Sequence, residues 1–222
     1  MNTLVFASIS QKGGVGKSTI ARLLATVYAG AGWEIKVADL NLTQKTIINW
    51  LADRLQAGVQ PEIAAEPFGS VKKALKQASH YDAMIFDGAP DSHQSTLEIA
   101  KAADVIFVPS GVTKDDLVPQ VLLANELVDV HKIKRDRIMF VLNKALDSQV
   151  SVDEARGFIE RAVYTCAKTA LPARTGYQRA QNAGRSVIET EFPTLNQTAD
   201  ALAQEMVNFI ETRAGLKEAV NG

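Results

Sequence analysis

Only one cysteine, Cys166, occurs in the 222 residues. A lone thiol cannot close an internal disulfide, and within one chain it cannot build a Cys-ligated zinc or iron–sulfur site. Histidine is scarce as well: His80, His93 and His131 have no partners at metal-ligand spacing. Net charge is nearly absent, 24 basic against 25 acidic residues, so any contact with nucleic acid has to come from a local patch. No run approaches the roughly eighteen apolar residues of a membrane-spanning helix. Met1-Asn2-Thr3 lacks the basic start of a secretory signal. Internal repeats, low-complexity tracts and Gly/Ser linkers are also missing. What is left, 46% hydrophobic and 22% charged, is the balance of a folded domain. The expectation is one domain over residues 1–222 in the reducing cytoplasm.

Short β-branched apolar runs recur at Leu4 to Ile9, Ile35 to Ala38, Met84 to Phe86, Val105 to Val108 and Ile138 to Leu142. Each is too short for a helix and ends near Gly, Asp, Pro or Asn, as buried strands do. Helix-length amphipathic segments separate them: Lys17 to Ala31, Thr43 to Gln56, Val71 to Ser79, Gln94 to Ala103, Asp115 to His131 and Val152 to Ala167. This alternation predicts an α/β fold with a mostly parallel twisted sheet flanked by helices on both faces. Strand order is not legible in it. Thr194, after Pro193, is in place to cap a further pattern, Ala199, Leu202, Met206, Phe209 and Ile210, which reads as a C-terminal docking helix over about 194–213.

The strongest chemical signal follows the first strand, in Ser8-Ile9-Ser10-Gln11-Lys12-Gly13-Gly14-Val15-Gly16-Lys17-Ser18-Thr19. Phosphate binding needs backbone N–H groups that approach closely, and Gly13, Gly14 and Gly16 remove the side chains that would block them. The next helix adds the partial positive charge of its N-terminus. Lys17 supplies a full charge for the β- and γ-phosphates, and the Ser18 hydroxyl can ligate Mg²⁺. A nucleotide would therefore rest on Gly13, Gly14, Val15, Gly16, Lys17, Ser18 and Thr19, with ATP and Mg²⁺ as cofactors. The usual P-loop has glycine five positions before Gly16, where this chain has Gln11, followed at once by a second lysine, Lys12.

The stretch Gln11 to Thr19 closely resembles the deviant Walker A box of the ParA/MinD ATPases, small ParA-type partition ATPases most of all. In that family the early lysine, here Lys12, reaches across a nucleotide-sandwich dimer to the partner's phosphates. Val37 to Gln44, with Trp50, resembles the family's Asp-x-Asp box and the switch I segment after it. Tyr81 to Pro90 resembles its Walker B strand and switch II, with Asp87 at the strand end. Val141-Leu142-Asn143-Lys144 and Leu171-Pro172-Ala173-Arg174 resemble the segments around the base. The resemblance covers about residues 3–190. It implies catalytic roles for Lys12, Lys17, Asp39 and Asn41, Mg²⁺ ligation by Ser18, Asp39 and Asp87, and base contacts at Asn143 and Pro172. It also implies an ATP-dependent homodimer, non-specific DNA as a partner in the ATP state, and a ParB-like or other cargo adaptor that stimulates hydrolysis.

One residue departs from this pattern. Asn41 stands at the second carboxylate of the Asp-x-Asp box. Its carboxamide can accept a hydrogen bond from water but cannot act as a carboxylate base. Slow natural hydrolysis, substitution by Asp39 or another acid, and a deliberate replacement that holds the ATP-bound dimer all stay open. The expectation is weak basal turnover.

Lys168, Arg174, Arg179 and Arg185 lie in a span, 168–188, without an acidic residue. They form either a track for a DNA backbone or an ordinary solvated face. His131 to Arg137 forms a second basic cluster, read as a loop. Cys166 sits in an apolar pattern and reads as core.

The resulting expectation is a DNA-partition or positioning switch, nucleoid-associated when ATP-bound. The alternatives are a MinD-like switch positioning membrane or protein cargo, a metabolic P-loop ligase, an iron–sulfur carrier disfavoured by the missing Cys-x-x-Cys, and an ATP-binding module without turnover. Membrane association is not expected, because the tail Ala214 to Gly222 is short and mixed in charge.

Overall fold

In the computed structural model, residues 3–89, 93–146 and 148–213 are described. Pro90 of the switch II match and the tail 214–222 lie outside the described residues. The first half of the chain alternates strictly: β1 (Leu4–Ser8), α1 (Lys17–Gly30), β2 (Ile35–Asp39), α2 (Thr46–Gln56), β3 (Ala64–Pro67), α3 (Val71–Leu75), β4 (Ala83–Asp87) and α4 (His93–Ala102). The second half continues with β5 (Val105–Ser110), α5 (Lys114–Asp129), β6 (Ile138–Ala145), α6 (Gln149–Arg161), β7 (Thr165–Cys166), β8 (Leu171–Pro172), α7 (Thr175–Asn182) and α8 (Pro193–Arg213).

The sheet order is β3-β2-β4-β1-β5-β6-β7, with β8 also on β6. Every strand pairing is parallel, so the expected α/β class is borne out. Along β1, Val5 and Ala7 face one core and Phe6 the other. The same period of two splits Met84 and Phe86 from Ile85 in β4, and Phe140 and Leu142 from Val141 in β6. One core is covered by α3, α4, α5 and α6, and the other by α1, α2, α7 and α8. From α8, Leu202, Met206 and Ile210 enter the second core fully buried.

Three predicted helices end differently in the structure. Residues 43–45 form a turn and α2 starts at Thr46, because the Asp39 carboxylate accepts the Ile47 N–H at 3.2 Å and so caps the helix there. The third helix closes at Leu75 and a 3₁₀ turn, Ala78–His80, follows. The sixth starts three residues earlier than expected and ends at Arg161, after which Val163 takes a left-handed conformation (φ 64°) that turns the chain into β7.

The order also fixes where a ligand can bind. β1 lies between β4 and β5, while the chain leaves β1 for β2 on the far side of β4. A crevice opens beyond the C-terminal ends of strands where such an order reverses. Register sets Ser8 beside Asp87 and Asp39 beside Asp87, so the P-loop and both Asp-bearing strands end at one level.

Candidate functional site

The loop between β1 and α1 is shaped from its far side. Gly14 (φ 76°) and Gly16 (φ 111°) adopt backbone conformations that L side chains rarely take. The Lys144 ammonium donates to the Gly14 carbonyl at 2.6 Å, and the Asn143 carboxamide donates to the Val15 carbonyl at 2.9 Å. Across a planar trans peptide the N–H points opposite to the C=O. Holding these two carbonyls toward β6 therefore turns the Val15 and Gly16 N–H groups the other way. A Cβ at Gly16 would overlap the Asn143 carboxamide, so the loop and β6 fit only because that residue is glycine.

A cleft of about 480 Å³ opens beside the loop. Gly13, Gly14, Gly16, Lys17, Ser18 and Thr19 line it from the loop and α1, Asn41 and Gln44 from switch I, and Asp87 from β4. The Ser18 hydroxyl donates to Asp87 Oδ2 at 2.6 Å. The other oxygen, Asp87 Oδ1, is buried without a hydrogen-bond partner. Burial pushes the Asp87 carboxyl up to about 7, opposed by the Ser18 bond and reinforced by the neighbouring charge of Asp39. A buried, unsatisfied carboxylate oxygen beside a hydroxyl is what a hydrated Mg²⁺ ion would relieve. These residues fit that ion.

Asp39 has a different occupation. Its Oδ1 accepts the Asn41 N–H at 2.9 Å and its Oδ2 the Ile47 N–H, so both oxygens fasten switch I to the start of α2. Burial raises its carboxyl, and these backbone bonds oppose the rise. Asn41 turns inward on its own loop: its Nδ2 donates to Gln44 Oε1 at 3.0 Å and its Oδ1 accepts the Gln44 N–H at 3.1 Å.

Lys12 lies outside the residues lining the cleft. Its ammonium pairs with Asp116 of α5, and the side chain as a whole is 41% exposed. Neither base-contact candidate lines that cleft. Asn143 is engaged behind the loop, and Pro172 is half-buried in β8 opposite Ala145. The end of the cleft toward α7 is instead lined by Gln178, Gln181 and Asn182, with Lys144.

The basic residues of 168–188 do not form one uniform face. Arg179 and Arg185 line a separate cavity of about 370 Å³, which Glu189 and Glu191 line too. The Lys168 N–H donates to the Glu205 carboxylate at 2.6 Å. Arg174 is half-buried at the start of α7. The acid-free span of the sequence thus meets acids delivered by neighbouring segments. In the second basic cluster, Arg135 stacks over Tyr164 and donates to the Ala162 carbonyl, and Arg137 donates to the Ala103 carbonyl. Burial pushes the Cys166 thiol up to about 12, which keeps it protonated and unreactive. Among the described residues no cluster of three His, Cys, Asp or Glu side chains could hold a metal.

Sequence reasoning passed over Arg22 and Asp116. Arg22 lines the cleft and is 8% exposed. Its one signal was a charge placed one helical turn after Ser18. No sequence signal links Asp116 to Lys12 across 104 residues.

Comparison with known proteins follows the same lines. By structure the chain is similar to the septum site-determining protein MinD of Pyrococcus horikoshii OT3 in complex with Mg-ADP (TM-score 0.71, 14% identity, covering 92% of this chain and 96% of that one). It is also similar to an aspartate-to-alanine variant of Cyanothece McdA in complex with ATP (0.65, 14%, 92% and 96%). A third similar structure is a ParA family ATPase from Chlorobium tepidum TLS (0.62, 17%, 92% and 99%). No curated protein sequence matches the chain. The family model described as the CobQ/CobB/MinD/ParA nucleotide binding domain matches residues 6–187. A P-loop built on β1, with Asp39 and Asp87 ending the two neighbouring strands, belongs to a match of that length, and the chain is a member of this ParA/MinD family of P-loop proteins.

Proposed function

We propose that this chain is an ATP-dependent positioning switch of the ParA kind. It binds Mg-ATP, closes as a sandwich homodimer over two nucleotides, holds non-specific DNA in that state, and is released when a ParB-like or other cargo adaptor stimulates hydrolysis to ADP and phosphate. The observation that carries this reading is the placement of Lys12: on the P-loop, half-exposed, and outside the set of side chains lining its own cleft. Once released from Asp116, a cation at that place can reach a neighbouring subunit, where it stabilises charge on a transferring phosphoryl group only when two subunits have closed.

Ser18 and Asp87 would hold Mg²⁺, with Asp39 beside them securing switch I. Bound Mg²⁺ supplies neutralisation of the phosphate oxygens. Lys17 and the loop N–H groups would bind the phosphates. Lys168, Arg174, Arg179 and Arg185 are the proposed contacts to DNA phosphates. With Glu189 and Glu191 beside two of them, binding by one subunit would be weak, at the non-specific level of roughly 10⁻⁴–10⁻⁶ M, and would gain by pairing subunits. The proposed location is the cytoplasm, on the nucleoid when ATP is bound. Among the described residues no helix is long and apolar enough to cross a membrane.

Asn41 favours a second reading of turnover. With its carboxamide bonded to Gln44 and no carboxylate at that position, the chain would bind ATP and hydrolyse it slowly or not at all.

Equilibrium binding to random-sequence duplex DNA with Mg-ATP, Mg-ADP or no nucleotide, at two salt concentrations, tests the main reading. Binding with ATP alone, weakening with salt, is the expected result. Equal binding in all three states removes the gating. No binding in any state removes DNA and shifts the reading to protein or membrane cargo.

A further inference from the structure

Arg22 is a buried guanidinium on the wall of the cleft, and its donors join two elements that the sequence separates widely. Its Nη2 donates to the Thr46 carbonyl at 2.8 Å, where switch I passes into α2. Its Nη1 donates to Gln181 Oε1 of α7 at 3.2 Å, the same oxygen that accepts the Thr19 hydroxyl at 3.1 Å. The Nε–H is buried without any partner.

The guanidinium also lies 5.3 Å from the centre of the Trp50 ring, and Arg54 lies 5.4 Å from the same ring. Trp50 is 2% exposed and its indole N–H donates to the Arg185 carbonyl at 3.0 Å. Arg54 continues the chain of contacts, donating to the Gly184 carbonyl and, through two nitrogens, to Glu189. Arg185 and Glu189 line the second cavity. One stack of side chains thus runs from the nucleotide cleft, through α2, to the segment around that cavity.

We propose that Arg22 is a positioning residue that clamps switch I to α7 beside the nucleotide cleft, and that its contact with Trp50 transmits occupancy of the cleft to the segment 184–191. The proposal rests on the nucleotide-binding reading above. Its physical basis is a charge balance. Burial lowers the Arg22 pKa to about 10, which leaves it charged at neutral pH, and the carboxylates of Asp87, Asp39 and Asp53 offset the cost of burying it. A divalent cation at Ser18 and Asp87 offsets part of that attraction and adds a like charge one helical turn from Arg22. The guanidinium then depends more on its neutral acceptors Thr46 and Gln181, and any shift is felt first by the ring stacked on it. The unpaired Nε–H is a spare donor for the rearranged contact.

Trp33 and Trp50 are the two tryptophans of the chain, so Trp33→Phe leaves one indole to report. Emission and acrylamide quenching of Trp50 are recorded without ligand, with MgCl₂, with Mg-ADP and with Mg-ATP, each variant being saturated according to its own calorimetric titration. The expected result is a Trp50 signal that changes when Mg-ADP or Mg-ATP fills the cleft, relative to the unliganded protein, and loss of that difference in Arg22→Gln. Arg22→Lys keeps the charge but cannot donate to Thr46 and Gln181 from one plane, so it is expected not to restore the signal. Full restoration by lysine would overturn the clamp in favour of charge alone. Gln181→Ala removes one acceptor while sparing the bond to Thr46. It is expected to diminish the signal difference, and it supplies the test if Arg22→Gln fails to fold. A signal difference unchanged in both Arg22→Lys and Gln181→Ala overturns the proposal. So does calorimetric ATP binding in the parent with no Trp50 response. Absence of ATP binding in the parent overturns the nucleotide reading and this inference together, and calorimetry distinguishes that case.

Discussion

The ammonium of Lys12 and the carboxylate of Asp116 form a direct ion pair at the mouth of the P-loop, Nζ to Oδ1 2.5 Å. Asp116 also accepts the Thr113 hydroxyl at 2.7 Å and packs so closely on Gly111 that a Cβ there would strike it. Burial acts to raise the Asp116 carboxyl, but bonds from Lys12 and Thr113 hold it below its ordinary value. A folded-state value below the unfolded one means the pair contributes stability above the unfolded pKa and loses it as pH falls through the folded pKa. At neutral pH the pair is therefore intact.

A lysine held by its own subunit has to be released before it can serve another. Asp116→Asn is expected to favour the ATP-dependent dimer. The pair is part-exposed, worth about 0.2–1 kcal/mol, which corresponds to a gain of about 1.4- to 5-fold per subunit. Sedimentation of the variant and the parent across a range of ATP concentrations measures this. A dimer midpoint shifted toward higher ATP would contradict it.

Asn41→Asp tests the departure in switch I. The aspartate would keep an acceptor for the Gln44 N–H but lose the donor to Gln44 Oε1. If a carboxylate at this position acts on the attacking water, restoring it raises single-turnover hydrolysis by about 10²–10⁴. Phosphate release from pre-bound ATP is the measurement, and an unchanged rate would assign that work elsewhere.

The parallel α/β class and the P-loop were legible because both are written locally. Short continuous apolar runs give β1, β2, β4, β5 and β6, and glycine spacing gives the loop. The short strand β3, exposed at the sheet edge, carries Ala64, Ala65 and Glu66 and shows no apolar run to find. β7 and β8 are two residues each and exist only through pairing with β6. The site was half legible for the same reason. Ser18 and Asp87 lie in motifs, whereas the bracing of the loop by Asn143 and Lys144, the pairing of Asp116 with Lys12, and the reach of Arg22 to Gln181 depend on elements over a hundred residues apart. Charge along the sequence told part of this: 168–188 is acid-free as a string, and the fold sets the next acids along the chain, Glu189 and Glu191, in one cavity with Arg179 and Arg185.

Gly16→Ala is expected to abolish nucleotide binding while leaving most of the fold in place. The added Cβ meets the Asn143 carboxamide that holds the Val15 carbonyl, and the backbone there (φ 111°) is strained for any L side chain. The loop would have to give up that bond and with it the aim of its N–H groups. Loss of the calorimetric ATP signal, with far-UV circular dichroism retained, is the expected pair of results. Binding at parental affinity would show that the loop does not depend on this contact.

Arg54 is wholly buried, and its two terminal nitrogens meet the Glu189 oxygens at 2.8 and 2.9 Å. A buried pair is expensive to break from one side, since the remaining charge keeps its desolvation cost without its partner. Glu189→Ala is therefore expected to lower unfolding stability by about 3–5 kcal/mol, read from urea unfolding. Replacing both members, Arg54→Met with Glu189→Met, removes both charges and is expected to cost less than the single change. Some loss remains, because Arg54 also donates to the Pro61 and Gly184 carbonyls, which would be left without it. A double variant as unstable as Glu189→Ala would place the stabilisation in those carbonyl bonds and in the close approach of Gly184 to the α2 backbone, with the ion pair itself contributing little.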